Sequence, residues 1–379
     1  MGRLLLTVGT IIGLAGPALA QVSEAWARCL NENGAYSFDV AIAACTAVIN
    51  SGKETQATLA IAYSNRAYAY DSKGDKDRAI ADYSNAIHLK PTDSNHYNNR
   101  GVAYRAKGDN DRAIDDYSKA IELDPKHAQA YANRGNAYRA RDSYDAAIAD
   151  YSRAIEINAK IADYYYNRGI TFRAKGDNDR AIDDYGKAIE LDPKHAQAYS
   201  NRGYAYRSKR QYDEAIADLT TAIAIDPRDA DAYNNRGYAY RRKGQLDQAI
   251  ADLTKALELN PKLVNAYSNR GAAYEDKKDY ERAISDYSKA IDIDPGDADY
   301  YNGRAWAYYK AGKAQQGLLD AEKSLQLRPN DANTLDTRGH ILEALGRREA
   351  AIADFRQALA KDPNIKDSIA ALKRLGANP

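Results

Sequence analysis

The side chains of this chain that could bond a ligand stand in rows, one per copy of a short segment, and not in a cluster around one point. Arginine recurs at an unbroken interval of 34 residues, at Arg66, Arg100, Arg134, Arg168, Arg202, Arg236, Arg270, Arg304 and Arg338. Each is followed 16 residues later by an aspartate, from Asp82 and Asp116 through to Asp320 and Asp354. An arginine kept for a solvent ligand needs no matching carboxylate in every copy, whereas a partly buried one does. The row therefore reads as a ladder of structural ion pairs. Asn65, Asn99, Asn133, Asn167, Asn201, Asn235 and Asn269 precede that arginine, and the run stops at Gly303. A carboxamide donates and accepts at once, so a file of them can hold an extended main chain while ignoring its side chains. The same groups can instead bond polar atoms of a neighbouring helix. Asparagine is an indifferent helix former whose recurrence needs a cause, and both causes stand open.

A second cationic row, Arg105, Arg139, Arg173, Arg207 and Arg241, lies five residues beyond the first and only in the central copies; flanking copies carry Asp71, Glu275 and Glu343. Such a strip favours carboxylate or other anionic groups through bidentate bonds, or simply places cations in the last turn of a helix. Between the rows lie residues that change from copy to copy, among them Tyr68, Val102, Tyr204, Tyr238, Trp306 and His340. Tyr204, Tyr238 and above all Trp306 are candidate anchors, because large aromatics often dominate interface energy.

Residues for turnover are missing from the pattern. No phosphate-cradling glycine loop, nucleophile elbow or His-Glu-x-x-His helix occurs. Residues 108–131 and 176–199 are one duplicated string apart from Ser118 becoming Gly186, so His127 and His195 match by ancestry and not as metal ligands. Asp109-Asn110-Asp111 and Asp177-Asn178-Asp179 lack the glycine and terminal glutamate of a calcium loop and read as helix caps. No catalytic residue, cofactor or metal is expected, and the chain is read as a binding protein and not an enzyme. Cys29 and Cys45 have no histidine or further cysteine near them, which favours a disulfide over a metal site, with two buried thiols as the alternative.

These rows require elements that repeat. The 31 Tyr against 3 Phe, 2 Trp and 1 Met mark one motif copied many times. In one copy, Tyr97, Gly101 and Tyr104 follow the spacing of one helix face, and Ala113, Tyr117 and Ala120 that of a second. Gly108 suits a left-handed end to the first helix, Asp109 a cap on the second, and Pro125 its stop. A lone hairpin cannot bury its apolar face, so copies must stack, with a concave inner side. With 54 basic and 53 acidic residues the net charge of +1 gives no general pull toward nucleic acid or an anionic membrane. Residues 1–20 read as a signal peptide: Arg3, an apolar run from Leu4 to Gly16, and Ala18-Leu19-Ala20 at cleavage spacing. The run is shorter than the roughly 20 residues a span needs, so a periplasmic or secreted protein without a lasting membrane anchor is expected.

The period and the pattern of tyrosine, glycine, tyrosine, alanine, aromatic, alanine and proline resemble the tetratricopeptide repeat family over residues 60–365, as nine tandem copies. The resemblance implies an all-α, right-handed superhelical solenoid of antiparallel helix pairs, with a degenerate hairpin at 21–59 and a capping helix and tail at 366–379. Ala159 in place of proline, Gly317 and Ser324 in the eighth copy, and Leu335 and Leu342 for tyrosine depart from the pattern. The resemblance also places the asparagine row on the concave surface, where it looks like the array with which the O-GlcNAc transferase superhelix grips peptide backbone. The function expected is a scaffold that binds an extended peptide of acidic character. The alternative resembles the tetratricopeptide scaffolds of exopolysaccharide export, which would serve an anionic polysaccharide.

Overall fold

The computed structural model describes residues 24–378, so the signal peptide expected at 1–20 lies outside the described residues. Among them every regular element is helical and none is a strand. The chain divides into two compact units, 1–171 and 172–379. In the first, α1 (Glu24–Leu30), α2 (Phe38–Asn50), α3 (Gln56–Ser72), α4 (Lys76–Leu89), α5 (Ser94–Ala106), α6 (Asn110–Leu123), α7 (Ala128–Ala140) and α8 (Tyr144–Ile157) pack each against the next. Helix α9 (Ala162–Ala174) carries the chain over the division. The second unit holds α10 (Asn178–Leu191), α11 (Ala196–Ser208), α12 (Tyr212–Ile225), α13 (Ala230–Arg242), α14 (Leu246–Leu259), α15 (Val264–Asp276), α16 (Tyr280–Ile293), α17 (Ala298–Lys310), α18 (Ala314–Leu327), α19 (Ala332–Ala344), α20 (Arg348–Lys361) and α21 (Lys366–Arg374). Each unit is a solenoid of antiparallel helix pairs, the fold the sequence pattern predicts. No described helix is long and apolar enough to cross a membrane.

The local chemistry works as the spacing predicts. Gly108 takes φ 84° and ends α5, while the Asp109 carboxylate accepts from the Arg112 N–H at 3.1 Å and opens α6. Asp177 does the same for Arg180, so both Asp-Asn-Asp triplets are caps. Ala113, Tyr117 and Ala120 are fully buried. The glycine of the first helix is needed for close approach: a Cβ at Gly203 would stand 2.7 Å from Leu219 Cγ.

The ion-pair ladder is present in both units. Arg100 grips Asp116 with Nε and Nη2 at 2.8 and 2.7 Å, and Arg236 grips Asp252 in the same way at 2.7 and 2.8 Å. Sequence reasoning missed its third point. The Nη1 of Arg66, Arg100, Arg134, Arg236, Arg270 and Arg304 donates to a hydroxyl on the second helix of the preceding pair, from Thr46 and Ser84 to Ser288. Each such arginine therefore joins three helices. Cys29 and Cys45 form the expected disulfide between α1 and α2.

Candidate binding groove

Successive first helices of the second unit touch one another, α11 to α13, α13 to α15 and α15 to α17. Their shared face carries a groove of about 850 Å³ that also takes in the end of α9. Side chains reach it in bands set by the helical repeat. Asn201, Asn235 and Asn269 form the middle band; one turn earlier stand Gln197, Asp231 and Asn265; one turn later Tyr204 and Tyr238. Arg173 and Arg207 interleave with the tyrosines. Their guanidinium carbons lie 4.8 and 4.5 Å from the Tyr204 ring centroid, and Arg207 is also 4.7 Å from that of Tyr238.

Both uses weighed for the asparagine row occur here. Asn269 Nδ2 donates to Asn234 Oδ1 at 2.9 Å, and Asn201 Nδ2 to the Gln197 carbonyl at 3.0 Å. Asn235 Oδ1 accepts from Arg207 Nη1 at 3.0 Å. Each bond uses one side of the amide. Among the described residues the Asn235 NH2 group and the Asn269 carbonyl oxygen have no protein partner, so the band keeps donors and acceptors for a ligand. The groove is not uniformly cationic, however. Asp226, Asp229 and Asp231 share it, with Arg228 the cation beside them. The Asp231 carboxyl is raised above the usual carboxylate range by burial and then by Asp229.

Residues 102–139, 135–173, 169–209, 203–244 and 237–278 match the family described as TPR repeat, and 60–93, 264–297 and 332–365 match the tetratricopeptide repeat. The chain belongs to the tetratricopeptide repeat family. Among solved structures, PilW, a type IV pilus biogenesis factor, shares the fold at 21% identity, with a TM-score of 0.51 over 56% of this chain and 98% of its own. YrrB, a TPR protein with an unusual peptide-binding site, is 27% identical over 48% of this chain and 95% of its own, with a TM-score of 0.44. MamA is 32% identical over 43% and 96%, with a TM-score of 0.41. None of the curated proteins compared with the chain matches it.

The remaining candidate residues of this tetratricopeptide repeat protein lie elsewhere. In the first unit Asn133 is only 8% exposed and is held between helices: its Nδ2 donates to Asn98 Oδ1 at 2.9 Å, and its Oδ1 accepts from Gln129 at 3.1 Å. Asn98 donates on to Asn99. Asn133 is thus taken up by local structure, because the neighbouring copy offers Asn98 as its acceptor. Asn65 is half-buried, and Asn167 donates to the Asp163 carbonyl at 2.8 Å. Arg105 is exposed, and Arg139 is half-buried with its Nε lacking an acceptor. Arg241 does not line the groove; its Nε donates to Asp276 at 2.7 Å. Trp306 belongs to a separate aromatic group, 5.3 Å from Tyr309 and 5.7 Å from His340, under the Lys310 ammonium. The acidic band was missed. Its signal is the row four residues before each asparagine, which holds Asp163, Gln197, Asp231 and Asn265.

Proposed function

We propose that the chain is a non-enzymatic scaffold that holds an extended segment of a partner protein across the groove of the second unit. The observation that carries this reading is the file of Asn201, Asn235 and Asn269 on one face, where the Asn235 NH2 group and the Asn269 carbonyl oxygen have no protein partner among the described residues. An exposed main chain offers the complementary donor and acceptor at every residue. Arg173 and Arg207 add affinity for acidic side chains. A polyanionic glycan is the second reading, supported by the same two arginines. Asp229 and Asp231 disfavour it, since carboxylates at the opposite edge repel a polyanion. The apolar run with Ala18-Leu19-Ala20 and the Cys29–Cys45 bridge support export to the periplasm or beyond.

The test is a panel of unstructured peptides of varied sequence titrated into the mature chain. Changing Asn201, Asn235 and Asn269 together to Ala should weaken every peptide that binds by at least tenfold, at roughly 1 kcal/mol per hydrogen bond. A thermal melt verifies that loss of the Asn269–Asn234 bond leaves the unit folded. Affinities unmoved by the triple change would remove the amide floor from this reading.

A further inference from the structure

The groove has two edges of opposite charge, and the protein leaves both uncompensated. On α13 the order is Asp231, Asn235, Tyr238, one turn apart. Arg207 bonds Asn235 and stacks on Tyr238, so the cationic edge lies toward the C-terminal end of the helix and the acidic edge toward its start. Neither Arg173 nor Arg207 has a carboxylate within ion-pair distance among the described residues, and Arg173 Nε is buried without an acceptor. Among the described residues Asp229 and Asp231 have no cation at that distance either. Asp229 caps the Ala232 N–H, and the nearby Arg228 leaves the three carboxylates in excess.

Just beyond the groove the same two rows are neutralised from within. Arg241, in the row of Arg173 and Arg207, pairs with Asp276 at 2.7 Å. Asp299, in the row of Asp231, pairs with Arg328 at 2.6 Å. In the groove, among the described residues, Arg173, Arg207 and Asp231 keep no such internal pair. The two guanidinium groups flank Tyr204.

An extended chain sends successive side chains to opposite sides. Laid across the first helices over the asparagine band, it would point every second residue at the arginine edge and the others at the aspartate edge. The seven-residue step from Asp231 to Tyr238 spans about 10 Å along the helix, wide enough for a strand between the two. We infer that the ligand of this groove is an extended protein segment in which acidic and basic residues alternate, the acidic ones facing Arg173 and Arg207 and the basic ones facing Asp229 and Asp231. This rests on the peptide-scaffold reading above and adds the pattern of the peptide.

Three fluorescein-labelled peptides between identical Gly-Ser flanks test it by anisotropy: four alternating Glu-Lys pairs, a block of four Glu followed by four Lys, and a neutral Ser-Thr octamer. The alternating peptide should bind at least tenfold more tightly than the block, and 0.5 M salt should reduce that margin. Arg173→Met, Arg207→Met and Asp231→Asn, each verified as folded by its melt, should each reduce the preference. The Asn201, Asn235 and Asn269 triple change should instead weaken all peptides alike. Equal affinity for alternating, block and neutral peptides overturns the charge pattern and leaves the scaffold reading standing. Binding of none of them, with retention of alginate as the polyanionic probe, overturns both.

Discussion

Glu275 shows how one substitution inside a repeated frame changes a residue's chemistry. It stands where the central copies have arginine, and it accepts a hydrogen bond from the Tyr287 hydroxyl at 2.6 Å on Oε2 while Oε1 is buried without a donor. Burial pushes its carboxyl up to about 7, against the opposing effects of the Tyr287 bond and Arg241. The folded chain then holds a proton that the unfolded chain has released, so stability is greatest below the usual carboxylate range and falls as pH climbs toward 7. Glu275→Gln should flatten the denaturant midpoint between about pH 4.5 and 7, relative to the parent, and raise it at pH 8. Parallel midpoint curves for the two proteins would show that folding leaves the Glu275 carboxyl unshifted. The sequence made the rows legible at this scale but not the division of labour within them. Whether an asparagine faces a ligand or is bonded away depends on what the next copy presents, Asn98 against Asn133 or Asn234 against Asn269, and a period of 34 residues does not encode that contact.

The helix pair is held by its arginine, and the natural variation within the array supplies the control. Where six of the other eight copies have Ser or Thr 16 residues before the arginine, the copy of Arg202 has Gly186, and a Cβ there would stand 3.4 Å from Arg202 Nη1. Gly186→Ser should therefore stabilise the second unit by about 1–2 kcal/mol, part from replacing a glycine in a helix and part from a hydrogen bond to a charged donor. In an Arg202→Met background only the helix-propensity part should remain, so urea midpoints of the four proteins separate the two contributions. An equal gain in both backgrounds would mean that the hydroxyl does not bond the guanidinium. Turns and caps were the most legible elements, because glycine and aspartate mark them. Even so, Asp142, Arg210 and Lys278 take positive φ of 55°, 61° and 62° where glycine stands in other copies, so packing of the pair and not residue preference fixes the turn. A second set of links went unread: Lys107 to Asp77 and Lys243 to Asp213 tie the turn after a first helix to the second helix of the preceding pair through exposed pairs, each worth under about 1 kcal/mol.

At the scale of the molecule, an array in which each pair leans on its neighbours unfolds from its ends, and this chain closes the two ends differently. At the C-terminal end α21 seals the last pair, with Leu372 and Phe355 fully buried in one cluster. At the other, α1 has seven residues, too few to persist as an isolated helix, and it is held by the Cys29–Cys45 bridge and a small cluster with Val48 and Ala62. A bridge closing a loop of this length contributes about 3 kcal/mol, roughly a hundredfold in the local opening equilibrium. Reduction, or Cys29→Ser with Cys45→Ser, should therefore speed amide exchange in residues 24–50 by that order, with less effect along α3 and none in residues 212–378. Exchange that rose throughout would refute nearest-neighbour coupling in this array. The proposed export adds a second consequence. In protein taken from its own cells under acid quench, Cys29 and Cys45 should resist alkylation until reduced, because only an oxidising compartment maintains the bridge; ready alkylation would place the chain in a reducing compartment and leave α1 without its tether.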